Sequence, residues 1–256
     1  MSDEPLPDEH APRRAGAPLR AESVTAGYGG DPVIRDITVA ADPGQVVALV
    51  GANGSGKSTL LKSLTGIVRV TGGTVTVGDT DITRWAPEAV ARAGVGYVPQ
   101  VDDVFAPLTV RENLEMGGYL LRPARVAERV DHVVTVFPRL GQMLTRPAGK
   151  LSGGERKMLA MGRVLMLEPG VFLLDEPTAN LAPAIARTLL AEHVRRLADS
   201  GAAVLIVEQR ARAVLAIADF AYVLAGGEVR MSGTPARLAA DPAFTESFLG
   251  GAAPRA

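Results

Sequence analysis

Apolar residues along this chain follow two rhythms. Alternating or unbroken apolar runs bounded by Gly, Pro, Asp and Asn mark strands, and apolar positions three and four apart mark helices. Residues 22–28 (ESVTAGY) and 34–41 (IRDITVAA) have the texture of short strands. DPGQ at 42–45 is a turn, and VVALV is an apolar strand ending at Gly51. A helix is expected from near Lys57, an edge strand at TVTVG (74–78), a short helix over Pro87–Arg92, and a strand VGYVP closing at Gln100.

From Thr109 the texture turns helical. TVRE carries the Ser/Thr-x-x-Glu signature of a capping box, and Val126, Val130, Val133, Val134 and Phe137 share one helical face. This block runs to about Leu167. Strands return at VFLLD (171–175), AVLIVE (203–208) and AYVLA (221–225), with helices expected from about Pro183 to Ala198 and around Val214. A Gly-Gly turn then leads into EVRMS. Strand and helix in alternation predict an α/β fold around a mainly parallel sheet, with a helical insertion in its middle. There is no internal repeat.

Composition trims the possibilities. The 256 residues can form one large domain or two small ones, and the 47% hydrophobic content is ordinary for a globular protein. No apolar run approaches the ~20 residues of a membrane-spanning helix. A net charge of −1 offers no broad basic face for nucleic acid. The absence of cysteine removes disulfides, thiolate metal sites and a thiol nucleophile. Residues 1–19 mix prolines with acidic residues and lack a signal-like apolar segment, so a disordered tail is expected there, with His10 solvated in it.

One motif names a ligand. Gly51, Ala52, Asn53, Gly54, Ser55, Gly56, Lys57, Ser58 and Thr59 match G-x-x-x-x-G-K-[ST] between an apolar strand and a helix. In that context the backbone N–H groups face phosphates, Lys57 reaches the β and γ oxygens of ATP, and Ser58 coordinates Mg²⁺. In VFLLDEP, Asp175 and Glu176 close a buried strand at its C-terminal end. Following a P-loop, this pair has the chemistry for a metal ligand (Asp175, through water) and a general base (Glu176).

KLSGGERK, residues 150–157, raises a separate question. Ser152 and Glu155 form a second capping-box pattern, which leaves Gly153 and Gly154 unexplained. Glycine in a first helical turn costs about 0.8–1 kcal/mol relative to alanine, so something must come close to this backbone. Ser152, two unshielded glycine N–H groups and a helix N-terminus together make an anion site.

In their order, Tyr28, GANGSGKST, Gln100, LSGGE, LLDEP and the strand ending at Gln209 resemble the ATP-binding subunits of ABC transporters over residues 20–250. The resemblance implies a P-loop ABC ATPase fold: a mainly parallel core with an antiparallel β part over 20–100 and 168–250, and a helical subdomain over 101–167. It implies that Tyr28 stacks on adenine and that Gln100 contacts Mg²⁺ and reports nucleotide state to the helical subdomain. It further implies that Ser152, Gly153 and Gly154 cap the γ-phosphate held in a second subunit's P-loop. ATP and Mg²⁺ are the implied cofactors. The implied partners are a second ABC ATPase subunit, transmembrane permease subunits and, indirectly, a solute-binding protein, with no nucleic acid. The implied place is peripheral, on the cytoplasmic side of the cell membrane.

TANLAP, VEQR, RENLEMGGYL and FPRL look most like an ATPase subunit of branched-chain amino acid importers, whose relatives serve urea and amides. Ala182 stands where most ABC ATPases carry aspartate, and Gln209 where most carry histidine. Both departures are shared by that importer type, and they imply weak hydrolysis by the chain alone. Two alternatives within the superfamily are a soluble ABC-type ATPase acting on nucleic acid or ribosomes and a weakly active regulatory subunit. A third, a P-loop kinase, should lack LSGGE. His132 and His193 fall within helices as surface or packing residues, Met158, Met161 and Met166 as core, and Arg195 and Arg196 as a solvated face.

Overall fold

Strands buried on both faces need apolar residues at every position, and the three unbroken runs of the sequence form the middle of one sheet. The computed structural model describes residues 16–101 and 103–244. Its first half runs β1 (Leu19–Ala26), β2 (Ile34–Ala41), β3 (Val46–Gly51), α1 (Lys57–Leu64), β4 (Val70–Val77), β5 (Thr80–Asp81), α2 (Pro87–Arg92) and β6 (Val95–Val98). Helices α3 (Val110–Gly117), α4 (Pro123–Val136), α5 (Pro138–Gly141) and α6 (Gly153–Leu165) form the insertion. The chain then returns through β7 (Val171–Asp175), α7 (Pro183–Thr188), α8 (Arg195–Asp199), β8 (Ala203–Glu208), α9 (Ala211–Leu215), β9 (Phe220–Ala225), β10 (Glu228–Gly233) and α10 (Pro235–Ala239).

The six-stranded sheet has the order β10-β9-β3-β8-β7-β6, with β9 through β6 parallel and β10 antiparallel at one margin. Alternate residues of its central strands feed two cores. Val46, Ala48 and Val50 of β3 pack with the helical insertion, while Val47 and Leu49 pack with the antiparallel sheet and α1. That second sheet has the order β2-β1-β4-β5. β4, expected at an edge, is second from the margin because Thr76 and Val77 pair with Asp81 and Thr80.

β1 starts earlier than its alternation suggested. Leu19 and Ala21 are buried and pair on both sides with β2 and β4, while Arg20 pairs with Asp42. Of the expected tail, residues 1–15, His10 among them, lie outside the described residues. The helix expected from Pro183 to Ala198 is continuous but carries a π-helical stretch over Leu189–Val194 between α7 and α8. Arg195 departs from the expected solvated face. It bonds Asp199 and Asp219, both at 2.8 Å, and donates to Gly44 O at 2.7 Å, tying α8 to the loops that flank β3 and β9. His193 packs on the Phe137 ring, with centroids 5.2 Å apart, while His132 is exposed. Met161 and Met166 are buried and Met158 is half-buried against the same core, as their spacing predicted.

The insertion is fastened at the far end of α6. Arg129 of α4 is buried, donates through Nε to Met166 O at 3.2 Å and through Nη2 to Leu165 O at 2.8 Å, and pairs with Glu168 at 2.5 Å. It supplies side-chain donors to carbonyls at the end of α6, adding to the turn bond that Leu165 O accepts from Glu168 N. Arg129→Met should therefore lower stability by about 1–3 kcal/mol, since it takes the side-chain donors from the Leu165 and Met166 carbonyls and leaves Glu168 only its longer contact with Arg125. Urea unfolding checks this, and a change within about 0.5 kcal/mol would contradict the anchoring role.

Candidate functional site

Five adjacent parallel strands bring their C-terminal ends to one edge of the sheet, where loops can converge. β3 delivers the P-loop there, β7 delivers Asp175 and Glu176, β6 delivers Gln100 and β8 delivers Gln209. A pocket of about 350 Å³ opens among them, lined by the P-loop, Gln100, Glu176 and Gln209, with Val33 at its rim.

The P-loop closes onto α1 through Gly56, whose φ of 102° lies in the left-handed region. A Cβ there would also sit 2.6 Å from Ile34 Cγ2. Lys57, first residue of α1, folds back so that Nζ donates to Gly51 O at 2.8 Å and Ala52 O at 2.9 Å. Burial lowers its pKa, opposed by the negative field of Glu176, Asp175 and Glu208. Ser58 Oγ donates to Asp175 Oδ1 at 2.9 Å.

Glu176 has φ of 46°, a conformation that costs a non-glycine residue about 1–2 kcal/mol. Its N–H donates to Val207 O at 3.0 Å, one bond beyond the β7–β8 pairing, and the chain bends off the sheet at this residue. The carboxylate is grasped by two amides. Gln100 Nε2 donates to Oε2 at 2.8 Å, and Gln209 Nε2 reaches Oε1 and Oε2 at 2.8 and 2.7 Å. A carboxylate held between neutral donors at the mouth of a phosphate-sized pocket can take a proton from a water.

Two residues that touch the site carry no motif, and an ion pair packs behind Gln100. Tyr97 donates through its hydroxyl to Asp175 Oδ2 at 3.3 Å. Its only sequence signal is its place three residues before Gln100, in a strand paired with VFLLD. Glu208 is buried at the end of β8 and accepts from Thr178 N at 2.9 Å, which ties the segment after Glu176 to the strand that ends at Gln209. Lys157 and Asp103 form a buried ion pair at 2.7 Å behind Gln100.

Not every expected residue lines this pocket. Tyr28 is 65% exposed on the loop after β1, outside the pocket wall. Ser152, Gly153 and Gly154 are also outside it. Ser152 caps α6, accepting from Glu155 N at 3.4 Å while Glu155 Oε2 accepts from Ser152 N at 3.0 Å. The neighbours that come close to Gly153 and Gly154 lie within the chain: added Cβ atoms would sit 2.9 Å from Leu181 Cδ2 and 2.7 Å from Ile185 Cγ2.

Desolvation raises the pKa of Asp175, against hydrogen bonds from Ser58 and Tyr97, and raises that of Glu208 against its bonds to Thr178. Ser58, the Asp175 carboxylate and the Gln100 amide offer oxygen donors, the type that Mg²⁺ prefers.

Comparison with known proteins identifies the family. The ABC transporter family model matches residues 34–179. A probable branched-chain amino acid transport ATP-binding protein of Archaeoglobus fulgidus is 39% identical, covering 91% of this chain and 98% of that protein. A lipopolysaccharide export system ATP-binding protein of Escherichia coli is 33% identical over 91% of this chain and 98% of its own length. A crystal structure of an ATP-binding cassette of an ABC transporter in its ADP conformation superposes with a TM-score of 0.81 at 29% identity, covering 92% of this chain and 99% of that one.

The raised pKa of Glu208 carries a sign. Stability from the protonated group is fully present below the unfolded carboxylate range and is lost as pH rises through the higher folded value. Glu208→Gln keeps an acceptor for Thr178 N and removes that loss. The variant should gain Tm over wild type at pH 8, with the gain shrinking towards pH 4. A pH-independent difference in thermal melts would contradict this.

Proposed function

Because the chain belongs to the ABC transporter family as a nucleotide-binding, ATP-hydrolysing transport subunit, we propose that the pocket at the sheet edge is its catalytic centre. The carrying observation is the grip of Gln100 and Gln209 on Glu176 beside the P-loop. In this reading the N–H groups of Gly51–Thr59 cradle the phosphates of ATP, and Lys57 exchanges its carbonyl partners for β and γ oxygens. Ser58 and Asp175, already bonded to each other, hold Mg²⁺ with Gln100. When bound, the ion neutralises charge on the β and γ oxygens. Glu176 takes the proton of the attacking water, whose oxygen forms the new bond to phosphorus as the bond to ADP breaks. Gln209 orients that carboxylate and donates towards the γ-phosphate, and exposed Tyr28 is free to stack on adenine.

One chain holds half of what the reaction needs. Ser152, Gly153 and Gly154 lie outside the lining of the chain's own pocket, which supports their capping the nucleotide of a second ATPase subunit. The helix start is suited to it, with Ser152 and Gly153 exposed at the N-terminus of α6. Beside Gln100, a groove of about 340 Å³ between the insertion and the sheet presents exposed Ile67, Met116 and Tyr119 with Tyr97 and Pro99 in its wall. We assign it to an apolar helix end of a permease subunit, because its wall is continuous with the segment carrying Gln100. Among the described residues no helix is long and apolar enough to cross a membrane; in this reading the permease subunit supplies the path for the solute.

The solute class follows the similarity to branched-chain amino acid transport ATP-binding proteins: amino-acid import, with a solute-binding protein outside. The similarity to a lipopolysaccharide export protein is lower. Gln209 cannot become cationic as an imidazole can, which supports slow hydrolysis by this chain alone and faster turnover beside a partner with histidine.

Glu176→Gln should leave ATP affinity intact, slow hydrolysis by about 10²–10⁴, and accumulate an ATP-bound dimer. Single-turnover hydrolysis and size-exclusion chromatography with Mg-ATP test this together, and normal turnover would refute the assignment of the base.

A further inference from the structure

Lys157 lies five residues beyond Ser152 on α6 and is only 7% exposed. Its Nζ donates to Gln100 O at 2.7 Å and lies 2.7 Å from Asp103 Oδ2. On the same helix Arg163 donates through Nη1 to Asp103 O at 2.5 Å and sits 4.5 Å over the Phe105 ring. Gln100, Asp103 and Phe105 are thereby fastened to α6, and the free end of Gln100 reaches Glu176 at 2.8 Å.

A buried ion pair is a poor way to gain stability, since desolvation offsets most of its attraction and apolar packing of similar volume does as well. What this pair gains over apolar packing is direction. The ammonium fixes one carbonyl, that of the residue whose amide holds Glu176. We infer that Lys157 is a positioning residue for hydrolysis: it aims Gln100 at Glu176 and so ties the register of α6, with Ser152 at its start, to the carboxylate in the pocket. This rests on the reading of Glu176 as the base. If α6 shifts as Ser152 engages a second subunit, the shift reaches Glu176 through two hydrogen bonds.

Removing Lys157 alone would leave Asp103 buried and unpaired, so the decisive variant is Lys157→Met with Asp103→Asn. Its kcat should fall about tenfold or more while the affinity for a fluorescent ATP analogue stays within about twofold. Introduced into a Gln100→Ala background, the same pair of changes should cost nothing further, because the effect passes through Gln100. Asp103→Asn alone keeps the bond to Gln100 O and should hold kcat within about threefold. Unchanged kcat in the double variant, or losses that multiply with Gln100→Ala, would overturn the proposal. So would an equal loss in Asp103→Asn alone, which would assign the effect to packing, and thermal melts run alongside show whether each variant is folded. Normal kcat in Gln100→Ala would instead overturn the underlying reading of the site.

Discussion

The site depends on one constraint: five neighbouring strands run parallel and end together. β9, β3, β8, β7 and β6 are in unbroken register, with Val50 opposite Glu208, Asp175 opposite Val207 and Val98 opposite Leu174. Four loops therefore leave the sheet at one height. A carboxylate on one strand end can be held by amides from its two neighbours only because of that register, and the hold matters because Glu176 sits in a conformation that its own backbone disfavours. A slip of one residue in β6 or β8 would turn the amides away from it.

The second constraint is that the helical insertion is not free to float. Arg129 fixes the C-terminal end of α6, and Lys157 in its first half and Arg163 in its last turn fix it to the segment after β6. The Ser152 end projects beyond these ties, and its glycines nestle against Leu181 and Ile185, in the segment that follows Glu176 and the helix after it. Capping and close packing coexist on one helix start with the proposed anion site. The glycines thus have a reason inside the chain as well as the proposed one across a dimer.

Much of this was legible in the sequence because each strand is short, apolar and punctuated. β2, β3, α1, α2, β7 and β8 fall where their periodicity put them, and the capping boxes at Thr109 and Ser152 both form. β1 was misjudged at its start, since its burial comes from two flanking strands and not from its own alternation. Arg195 could not be read as a tie between loops, because its partners lie up to 151 residues away. The same holds for Lys157. Nothing local distinguishes a lysine that grips Gln100, 57 residues earlier, from one on a solvated helix face. P-loop and carboxylate pair announce themselves by spacing, whereas the residues that orient them are fixed only by the packing of the insertion on the sheet.

In the proposed assembly a complete site needs the P-loop of one molecule and the Ser152 end of another. Mixing two defective proteins tests it directly. Lys57→Ala removes the phosphate-binding cation and Ser152→Arg fills the space at the start of α6, so each should be nearly inactive alone. In a mixed dimer one composite site has both parts intact. Steady-state ATP hydrolysis of an equimolar mixture should exceed the sum of the separate rates. A mixture no more active than that sum, or Ser152→Arg active by itself, would contradict the account.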